Sequence, residues 1–483
     1  MLFMGIDIGT QGVRAIVSDE RGSIASGASI PFESINIAAH PGHYEQSSET
    51  WWECTAEVIA QVVKGLEGKG IKASEICAIS IDGTSGTVLP VGRDYRPLSN
   101  GIMYNDMRAR EETEAVRQVS REHESKMGLR FNPSFSLPKA LWIKKNKPEI
   151  YEKARLILHQ SDYIVGRLCG EYGVSDYSNS LKMGYDLIDE VWPDSIEKLG
   201  IDRGKLPAIV APGKVIGKVS KEAAAQLGLS SETDIVAGAT DGYASALAAG
   251  SVHVGSWATI LGTTLVLKGV SSGIVLDPTG SSYCHKLPSG AWMVGGASNV
   301  GGNCLNNRFD KKEFAALDRE VDGITPSGVL IYPLTGKGER YPFVDANAQE
   351  FIVGDVSDRK VLYTALMEGV GYVERLAYDL NARIGCTIGD EIFTSGGGCR
   401  SEEWLRIRAS ILNRCLKVPE VVEAAMGSAM LAASETCFRS LEEAAGSMIK
   451  FTKTIEPVRE KVKTYDELYG AFCQQCKSRF ELR

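Results

Sequence analysis

The feature that most constrains the fold is a short pattern at the start of the chain, residues 4–19. An apolar run leads to Asp7, turns at Gly9-Thr10, and continues as a second run rich in β-branched residues. This pattern predicts two antiparallel strands joined by a tight turn. The P-loop and the dinucleotide-binding turn are excluded, because both of those open a helix and a strand follows this turn.

The composition of the turn suits an anion. Backbone N–H groups of the turn, the Thr10 hydroxyl, the Gln11 amide and the Arg14 guanidinium can converge on one point, as a phosphate requires. Asp7 would face that phosphate without touching it, as a residue holding hydrated Mg²⁺ does. Taken alone, the stretch is explained equally well by a surface hairpin that carries an acid.

A second copy of this layout occurs half a chain later, in residues 257–269. It again has a strand, a Gly262-Thr263-Thr264 turn and a second strand. Two such hairpins, one in each half, resemble the phosphate loops of the actin-like ATPase and sugar-kinase superfamily. In that superfamily two related domains close on a nucleotide.

Length and composition set the bounds. A chain of 483 residues exceeds what one hydrophobic core usually supports, so two domains are expected. The net charge of −8 argues against nucleic-acid binding, and no apolar run approaches the length of about 18 residues needed to span a membrane. The eleven cysteines are scattered and odd in number, which fits reduced thiols and a cytoplasmic location.

A strand-end turn in the first half suggests a substrate site. Residues 76–81 form an apolar strand pattern that ends in the small polar residues 82–87, including Thr84 and Ser85. A strand that stops in such residues commonly forms the floor of a ligand site in an α/β sheet, and hydroxyl groups suit a polyol. An ordinary strand-end turn is the alternative.

Downstream segments resemble the FGGY family of carbohydrate kinases. Residues 103–109 carry an acid and an arginine, Asp106 and Arg108, in the spacing of that family. Further matching segments follow in order at residues 136–142, 159–164 and 175–179. Ala140 departs from the family pattern, which usually has a large apolar residue there, but no nucleotide role depends on it.

The chemical centre is predicted at Asp241. Residues 234–240 form a strand pattern and a helix of small residues follows at once, so this carboxylate lies at a strand-helix junction. Capping of the helix N-terminus is the structural alternative for such an acid. The resemblance implies that Asp241 is the catalytic base, which accepts the proton of the hydroxyl that is phosphorylated.

A glycine-rich turn in the second half is suited to adenosine. Residues 392–404 predict a strand, then a turn that contains the glycines 396–398 and Cys399, and then a helix capped by Ser401. Bare backbone in such a turn allows an adenine or ribose to lie against it. Earlier in this half, residues 292–295 predict a strand and Gly295 is expected to open a helix.

The resemblance implies an α/β fold of two ribonuclease-H-like domains of the actin-like ATPase superfamily. Each domain is a mixed β-sheet flanked by helices, with a nucleotide and sugar cleft between them. The expected domains are residues 1–248, with the sugar site, first phosphate hairpin and base, and residues 249–483, with the second hairpin and the adenosine site.

The implied reaction is transfer of the γ-phosphoryl group of ATP to a sugar hydroxyl, with Mg²⁺. The implied nucleotide and phosphate contacts are Thr10, Gln11, Arg14, Gly262, Thr263, Thr264, Gly396, Gly397, Gly398 and Cys399. The implied sugar contacts are Asp82, Gly83, Thr84, Ser85, Asn105, Asp106 and Asp241. Asp7 would hold the metal through water, with Asp241 as a second metal contact.

The substrate expected from the sequence is D-ribulose, giving D-ribulose 5-phosphate. Xylulose kinases of the family usually carry Gln-Met-His-Gly where residues 83–86 read Gly-Thr-Ser-Gly, which resembles ribulose-kinase-like members. D-Xylulose, or another ketose or polyol, is the alternative. An actin-like ATPase without a sugar substrate is the alternative of a different class. The expected partners are ATP and a sugar, with no nucleic acid and no membrane, and a homodimer is left open.

Overall fold

The computed structural model describes residues 1–33, 36–37 and 40–480, which form two compact units. The first unit comprises Met1–Ala248, His285–Gly290 and Glu423–Ile449. The second comprises Ala249–Cys284, Ala291–Val422 and the described residues from 450 onward. Residues 423–449 thus pack with the first unit, whereas the sequence-based division assigned all of 249–483 to the second domain.

The strands of the described chain are β1 (Leu2–Ile8), β2 (Gly12–Asp19), β3 (Ile24–Pro31), β4 (Asn36–Ile37), β5 (Glu45–Gln46), β6 (Ile76–Gly83), β7 (Leu89–Val91), β8 (Gly101–Ile102), β9 (Leu156–Leu158), β10 (Val174–Asp176), β11 (Ala208–Val210), β12 (Val215–Lys218), β13 (Asp234–Thr240), β14 (Trp257–Leu261), β15 (Leu265–Ser271), β16 (Tyr283–Lys286), β17 (Trp292–Ser298), β18 (Leu330–Tyr332), β19 (Phe351–Val353), β20 (Glu391–Ser395), β21 (Cys415–Pro419) and β22 (Phe451–Ile455).

The α-helices of the same residues are α1 (Ser48–Glu67), α2 (Arg110–Val119), α3 (Arg121–Met127), α4 (Ser136–Asn146), α5 (Pro148–Lys153), α6 (Gln160–Cys169), α7 (Tyr177–Lys182), α8 (Ser195–Lys198), α9 (Lys221–Leu227), α10 (Asp241–Ala249), α11 (Asn303–Asn306), α12 (Phe314–Val321), α13 (Arg359–Arg383), α14 (Glu402–Leu412), α15 (Ala424–Ser434), α16 (Leu441–Met448) and α17 (Arg459–Arg479). None of these helices combines the length and the apolar character that a membrane span needs.

The first unit is built on a mixed sheet in the order β12-β13-β6-β1-β2-β3. The antiparallel hairpin β1–β2, which the sequence predicts, continues into β3. On its other side β1 runs parallel to β6, and β6 runs parallel to β13. β1 is buried along its whole length, as a strand covered on both faces must be. The carboxyl ends of these three parallel strands meet at one edge, and the predicted sugar contacts 82–85 and 241 lie at or directly after the ends of β6 and β13.

Helix α15 shows why residues 423–449 belong to the first unit. It is buried along its length and packs on β1, β6 and β13. A Cβ at Gly5 would lie 1.7 Å from the carbonyl oxygen of Ala425, and one at Gly427 would lie 2.0 Å from that of Ala244. Only glycine at these two positions allows the backbones to approach this closely.

The second unit contains a sheet in which β17, β15, β14, β20, β21 and β22 follow one another in this order. β14 and β15 form the predicted antiparallel hairpin, while β14 runs parallel to β20 and β20 parallel to β21. The helix expected to open at Gly295 does not form, because β17 continues to Ser298, which pairs with Leu265. The fold class expected from the sequence, α/β units with mixed sheets, is confirmed.

Candidate active site

Two carboxylates lie side by side at the carboxyl edge of the first sheet. Asp7 of β1 and Asp82 of β6 are register partners in neighbouring strands, so their side chains share one face. Asp82 is fully buried and its Oδ2 accepts a hydrogen bond of 2.6 Å from Ser428 Oγ. Burial, followed by the charge of Asp7, holds the pKa of Asp82 well above its usual value, and burial also raises the pKa of Asp7. The pair favours one shared proton over two full negative charges.

The first hairpin turn leaves its polar side chains available. A backbone hydrogen bond of 3.0 Å from Gly9 N–H closes the turn. Thr10 is half-buried and Gln11 is exposed, and neither side chain makes a hydrogen bond within the described part of the chain. Arg14 is 60% exposed, with its Nη1 3.9 Å from Asp7 Oδ2. The turn can therefore offer a hydroxyl, an amide and a guanidinium to an anion.

Asp241 is the first residue of α10 and comes directly after β13. Its Oδ1 accepts a hydrogen bond of 2.6 Å from Gly242 N–H, so the carboxylate also satisfies one donor at the helix start. Burial raises the pKa of Asp241 to about 6, the Gly242 hydrogen bond opposes that rise, Asp7 adds to it and Lys182 reduces it. A carboxyl with such a pKa can accept a proton near neutral pH.

A buried polar network fixes the end of β13. Ser178 Oγ accepts a hydrogen bond of 2.8 Å from Thr240 N–H and donates one of 2.6 Å to Asp176 Oδ1. Asp176 caps α7 by accepting from the N–H groups of Ser178 and Asn179, and Asn179 Nδ2 donates to Ser161 Oγ at 3.1 Å. Because Thr240 directly precedes Asp241, this network sets the position of the predicted base.

The predicted sugar floor follows β6, and most of its hydrogen-bonding capacity is already used. Gly83 ends the strand, and Thr84 is buried with both its N–H and its Oγ1 donating to Gln160 Oε1, at 2.9 and 2.7 Å. The Thr84 hydroxyl also lies 2.6 Å from that of Thr87. Ser85 Oγ, in contrast, is buried and has no hydrogen-bond partner among the described residues. Of the two predicted hydroxyl donors, only Ser85 is free for a ligand.

Both carboxylate oxygens of Asp106 likewise accept hydrogen bonds from the protein itself. Its carboxylate accepts hydrogen bonds from Tyr44 N–H at 2.6 Å and from Arg108 N–H, Nε and Nη2 at 2.9, 2.9 and 2.7 Å. A direct contact of Asp106 with sugar would need one of these donors to be released. The neighbouring Asn105 Oδ1 is buried and lacks a partner in the described chain, so Asn105 is the better placed of the two for a ligand.

Lys139, which lies in one of the segments that resemble the family, connects loops of this region through hydrogen bonds. It is fully buried, and its Nζ donates to the backbone carbonyls of Gly86, Tyr104 and Ser134 at 3.1, 3.4 and 2.8 Å. Burial, followed by the charge of Lys182, lowers its pKa well below the usual value. The sequence contains no signal for this role, because the carbonyls of Gly86 and Tyr104 lie 53 and 35 positions away in the chain.

Lys182 was not predicted from the sequence either. It ends α7, is half-buried, and has its Nζ 5.4 Å from the Phe135 ring centroid. Its Cδ would lie 3.3 Å from a Cβ placed on Gly86, and its charge lowers the pKa of Asp241. No ion pair joins it to an acid within the described residues. A cation beside the predicted base and the predicted sugar floor is thus available to a substrate.

The second hairpin turn is held by glycine packing. Gly262 N–H donates to Thr264 O at 3.0 Å, and Gly302 N–H donates to Gly262 O at 2.9 Å. A Cβ on Gly301 would lie 2.4 Å from Thr263 O, so the residues before α11 fit against the turn only without a side chain. The turn residues 262–264 thus present backbone and hydroxyl groups, with no charge among them.

The glycine turn after β20 is confirmed as a strand, a tight turn and a helix. Gly396 has a φ of 92°, in the region that favours glycine, and residues Gly397–Arg400 form a single 3-10 turn. A Cβ at Gly396 or Gly398 would lie 2.4 Å from an atom of Leu261. The Ser401 side chain caps α14, as predicted. Gly397 has nothing within 4 Å of a Cβ position, which leaves its backbone open for a flat ligand.

A buried ion pair supports this turn from below. Arg408 of α14 and Glu374 of α13 are both fully buried, with hydrogen bonds of 2.6 and 2.8 Å between them. Arg408 Nη2 also donates to Thr394 Oγ1 at 2.9 Å, and Cys399 Sγ lies 3.7 Å from the same hydroxyl. Cutting such a pair leaves an uncompensated buried charge, so it locks the helix behind the turn in place.

The acids of the first unit fit a hydrated magnesium ion. No cluster of three or more His, Cys, Asp or Glu suited to a metal occurs in residues 1–33, 36–37 and 40–480. Hydrated Mg²⁺ needs only one or two carboxylates and the phosphates of a substrate. Asp7 and Asp241 each have a raised pKa, and the charge of Asp7 raises that of Asp241. A cation near both would relieve this repulsion.

Comparisons with known proteins agree with the expected family. Residues 2–248 match the N-terminal domain and residues 250–436 the C-terminal domain of the FGGY family of carbohydrate kinases. A xylulose kinase of Bacillus subtilis is 27% identical over 489 residues, covering 97% of this chain and 95% of that protein. A gluconokinase of the same species is 27% identical over 498 residues, covering 97% and 94%.

A solved structure extends the likeness to the fold. The xylulose kinase of Rhodospirillum rubrum has a TM-score of 0.88 and 25% sequence identity, with 99% of each chain covered. The two family models together match more than half of the chain, one for each half. The chain therefore belongs to the FGGY family of carbohydrate kinases, and it is a sugar kinase.

Proposed function

We propose that this protein transfers the γ-phosphoryl group of ATP to a hydroxyl of a ketopentose, with Asp241 as the base. The observation that carries the proposal is the setting of Asp241, at the end of a buried strand, with a pKa raised to about 6 by burial. In the reaction the sugar hydroxyl gives its proton to the Asp241 carboxylate while its oxygen bonds to the γ-phosphorus. The bond from phosphorus to the leaving oxygen breaks, and ADP departs.

The remaining predicted residues, proposed to bind phosphates, adenosine and the metal, come from both units. The groups proposed to bind phosphates are Thr10, Gln11 and Arg14 in the first unit and Gly262, Thr263 and Thr264 in the second. The backbone of Gly396, Gly397, Gly398 and Cys399 would bind adenosine. Asp7 would hold hydrated Mg²⁺ with Asp241 nearby, and that ion would neutralise phosphate charge.

D-Xylulose is the better-supported ketopentose. The expectation of D-ribulose from residues 83–86 finds no support among the relatives, whereas xylulose kinases recur among both the sequence relatives and the solved structures. Thr84, which argued for ribulose through its hydroxyl, is bonded to Gln160 and Thr87 instead. An actin-like ATPase without a sugar substrate does not fit a chain that matches carbohydrate-kinase models in both halves.

Lys182 favours a second candidate, a sugar acid such as gluconate. Its ammonium group has no ion-pair partner among the described residues. Its Cδ would lie 3.3 Å from a Cβ on Gly86, and its charge lowers the pKa of Asp241. A carboxylate on the substrate would pair with it. The likeness to a gluconokinase of B. subtilis agrees with this candidate.

A cytoplasmic location is proposed from the substrates and the thiols. ATP is a cytosolic substrate, and all eleven cysteines are free. A homodimer stays a prediction.

The test is formation of ADP and sugar phosphate with D-xylulose, D-ribulose and D-gluconate, in wild type and in Lys182→Met. For a ketopentose kinase we expect the highest kcat/KM with D-xylulose and a modest effect of the substitution. For a sugar-acid kinase we expect the highest kcat/KM with gluconate and a loss of about 10-fold or more in Lys182→Met. No phosphorylated product from any sugar would contradict the proposal.

A further inference from the structure

Gln160 carries a hydrogen-bond donor that the protein does not use. It is the first residue of α6 and is fully buried. Its Oε1 accepts from both the N–H and the Oγ1 of Thr84. A backbone N–H can only donate, so this contact fixes which end of the amide is the oxygen. The NH₂ end, Nε2, is then buried without a hydrogen-bond partner among the described residues.

A second buried glutamine in the same unit shows how this chain treats a purely structural amide. Gln46 is also fully buried. Its Nε2 donates to Thr10 O at 3.0 Å and to Asn36 Oδ1 at 2.8 Å, and its Oε1 accepts from Trp51 Nε1 at 2.9 Å. Buried amide groups are nearly always paired in this way, because an unpaired one loses its hydration without compensation. The unpaired Nε2 of Gln160 therefore calls for a ligand.

The place of Gln160 indicates which ligand. A Cβ on Gly83 would lie 3.2 Å from Ser161 N and 3.3 Å from Gln160 Oε1, so the turn after β6 fits directly against the start of α6. Ser85 Oγ, in the same turn, is likewise buried and without a partner in the described chain. Two unsatisfied polar groups thus belong to the turn predicted to form the sugar floor and to the residue bonded to it.

The residue before Gln160 holds it rigidly. His159 N–H and the His159 ring both contact Asp162 Oδ2 at 2.9 Å, which caps the first turn of α6. Recognition groups discriminate best when their surroundings fix them before the ligand arrives. With its oxygen anchored on Thr84 and its backbone capped, Gln160 can present Nε2 in one direction only.

We propose that Gln160 is a substrate-recognition residue whose Nε2 donates a hydrogen bond to an oxygen of the bound sugar. This inference rests on the proposed sugar-kinase function. The ligand atom is an acceptor oxygen, either a hydroxyl or a carbonyl, and Ser85 Oγ is available to a neighbouring oxygen of the same molecule.

The test compares Gln160→Glu with wild type on the accepted sugar and on its set of monodeoxy analogues. The substitution keeps an oxygen for Thr84 and removes the NH₂ donor. We expect the sugar KM to rise about 10-fold to 100-fold and the ATP KM to stay within about twofold. One deoxy analogue should lose affinity in wild type but lose little more in the variant, because both changes delete the same hydrogen bond.

Gln46→Met is the matched control. It removes a buried glutamine whose groups are all paired, so it should lower the melting temperature without singling out any one deoxy analogue. If Gln160→Glu does not fold, the same comparison is made with Gln160→Met.

Equal effects of the Gln160 substitution on every analogue, or an unchanged sugar KM, would overturn the proposal while leaving the kinase function intact. If wild type phosphorylates no sugar at all, the kinase function itself fails and this inference fails with it.

Discussion

The two hairpins that we propose bind phosphate share a backbone plan but differ in chemistry. β1–β2 and β14–β15 are both antiparallel pairs joined by a turn that contains glycine and threonine. The first turn is flanked by charge, with Asp7 and Arg14 as register partners and Asp82 on the adjacent strand. The second turn, residues 262–264, carries no charge and is fitted against glycines.

This difference suggests a division of labour. Charged groups can hold a metal and respond to the charge that develops during phosphoryl transfer. Neutral backbone groups can hold phosphate oxygens in a fixed geometry but do not titrate. We infer that the first hairpin belongs to the reacting end of ATP and that the second acts as a rigid clamp. The following variants test that contrast.

Asp241→Asn should have the largest effect. The amide keeps the shape of the side chain but cannot accept the proton of the sugar hydroxyl, so kcat should fall by on the order of 10² to 10⁴. ATP binding, measured by calorimetry, should persist. Retention of more than about a tenth of kcat would mean that Asp241 only caps α10.

Gly301→Ala tests the clamp in the second unit. The added Cβ would lie 2.4 Å from Thr263 O and 2.5 Å from Thr264 Cα, so the turn must move. We expect a loss of about 1 to 3 kcal/mol in the free energy of unfolding, and a higher ATP KM. Gly273→Ala is the control, because nothing lies within 4 Å of its Cβ position. Equal behaviour of the two variants would argue against a rigid second turn.

Arg14→Ala tests the charge on the first turn. The side chain is largely exposed, so the melting temperature should hardly change. The ATP KM should rise several-fold, and less so at high salt, where exposed charges are screened. Arg96→Ala removes another exposed arginine of the same unit and should leave the ATP KM unchanged. An ATP KM that ignores Arg14 would contradict its role at the phosphates.

Asp82→Asn should have the smallest effect. Burial and Asp7 hold the pKa of Asp82 well above its usual value, which favours the protonated carboxyl, and an amide resembles that form. We expect a change of less than about 1 kcal/mol in the free energy of unfolding at neutral pH. A carboxyl with a raised pKa makes the folded state bind more protons, so it lowers stability as the pH rises above about 4.

Chemical denaturation at several pH values measures this effect. In Asp82→Asn, the free energy of unfolding should decrease less with rising pH than it does in wild type. A large loss of stability at neutral pH would show instead that Asp82 is ionised.

Local patterns in the sequence predicted the main structural elements of the candidate site. The two hairpins, the strand-helix junction at Asp241 and the turn at 396–398 each depend on residues close together in the chain, so periodicity and turn chemistry reveal them. Long-range partners left no such signal. Gln160 accepts a hydrogen bond from Thr84, which lies 76 positions away in the chain. Ser428 donates one to Asp82, which lies 346 positions away.

The same limit explains the difference in the second half of the chain. The small residues of α15 show that something packs closely there, but not that the partner is β1 of the first unit. Nor could composition show that the Asp106 carboxylate accepts hydrogen bonds from Arg108 and Tyr44. Hydrogen-bond capacity is decided by tertiary neighbours, which a single sequence does not reveal.

The measurement that tests the central claim most directly is the pH dependence of kcat/KM for the sugar. A base must be deprotonated to act, and burial sets the pKa of Asp241 to about 6. The rate of wild type should therefore rise with pH through a single ionisation near 6 and level off above it, whereas the residual rate of Asp241→Asn should lack that ionisation. A wild-type profile that stays flat between about pH 5 and pH 8 would contradict the assignment of Asp241 as the catalytic base.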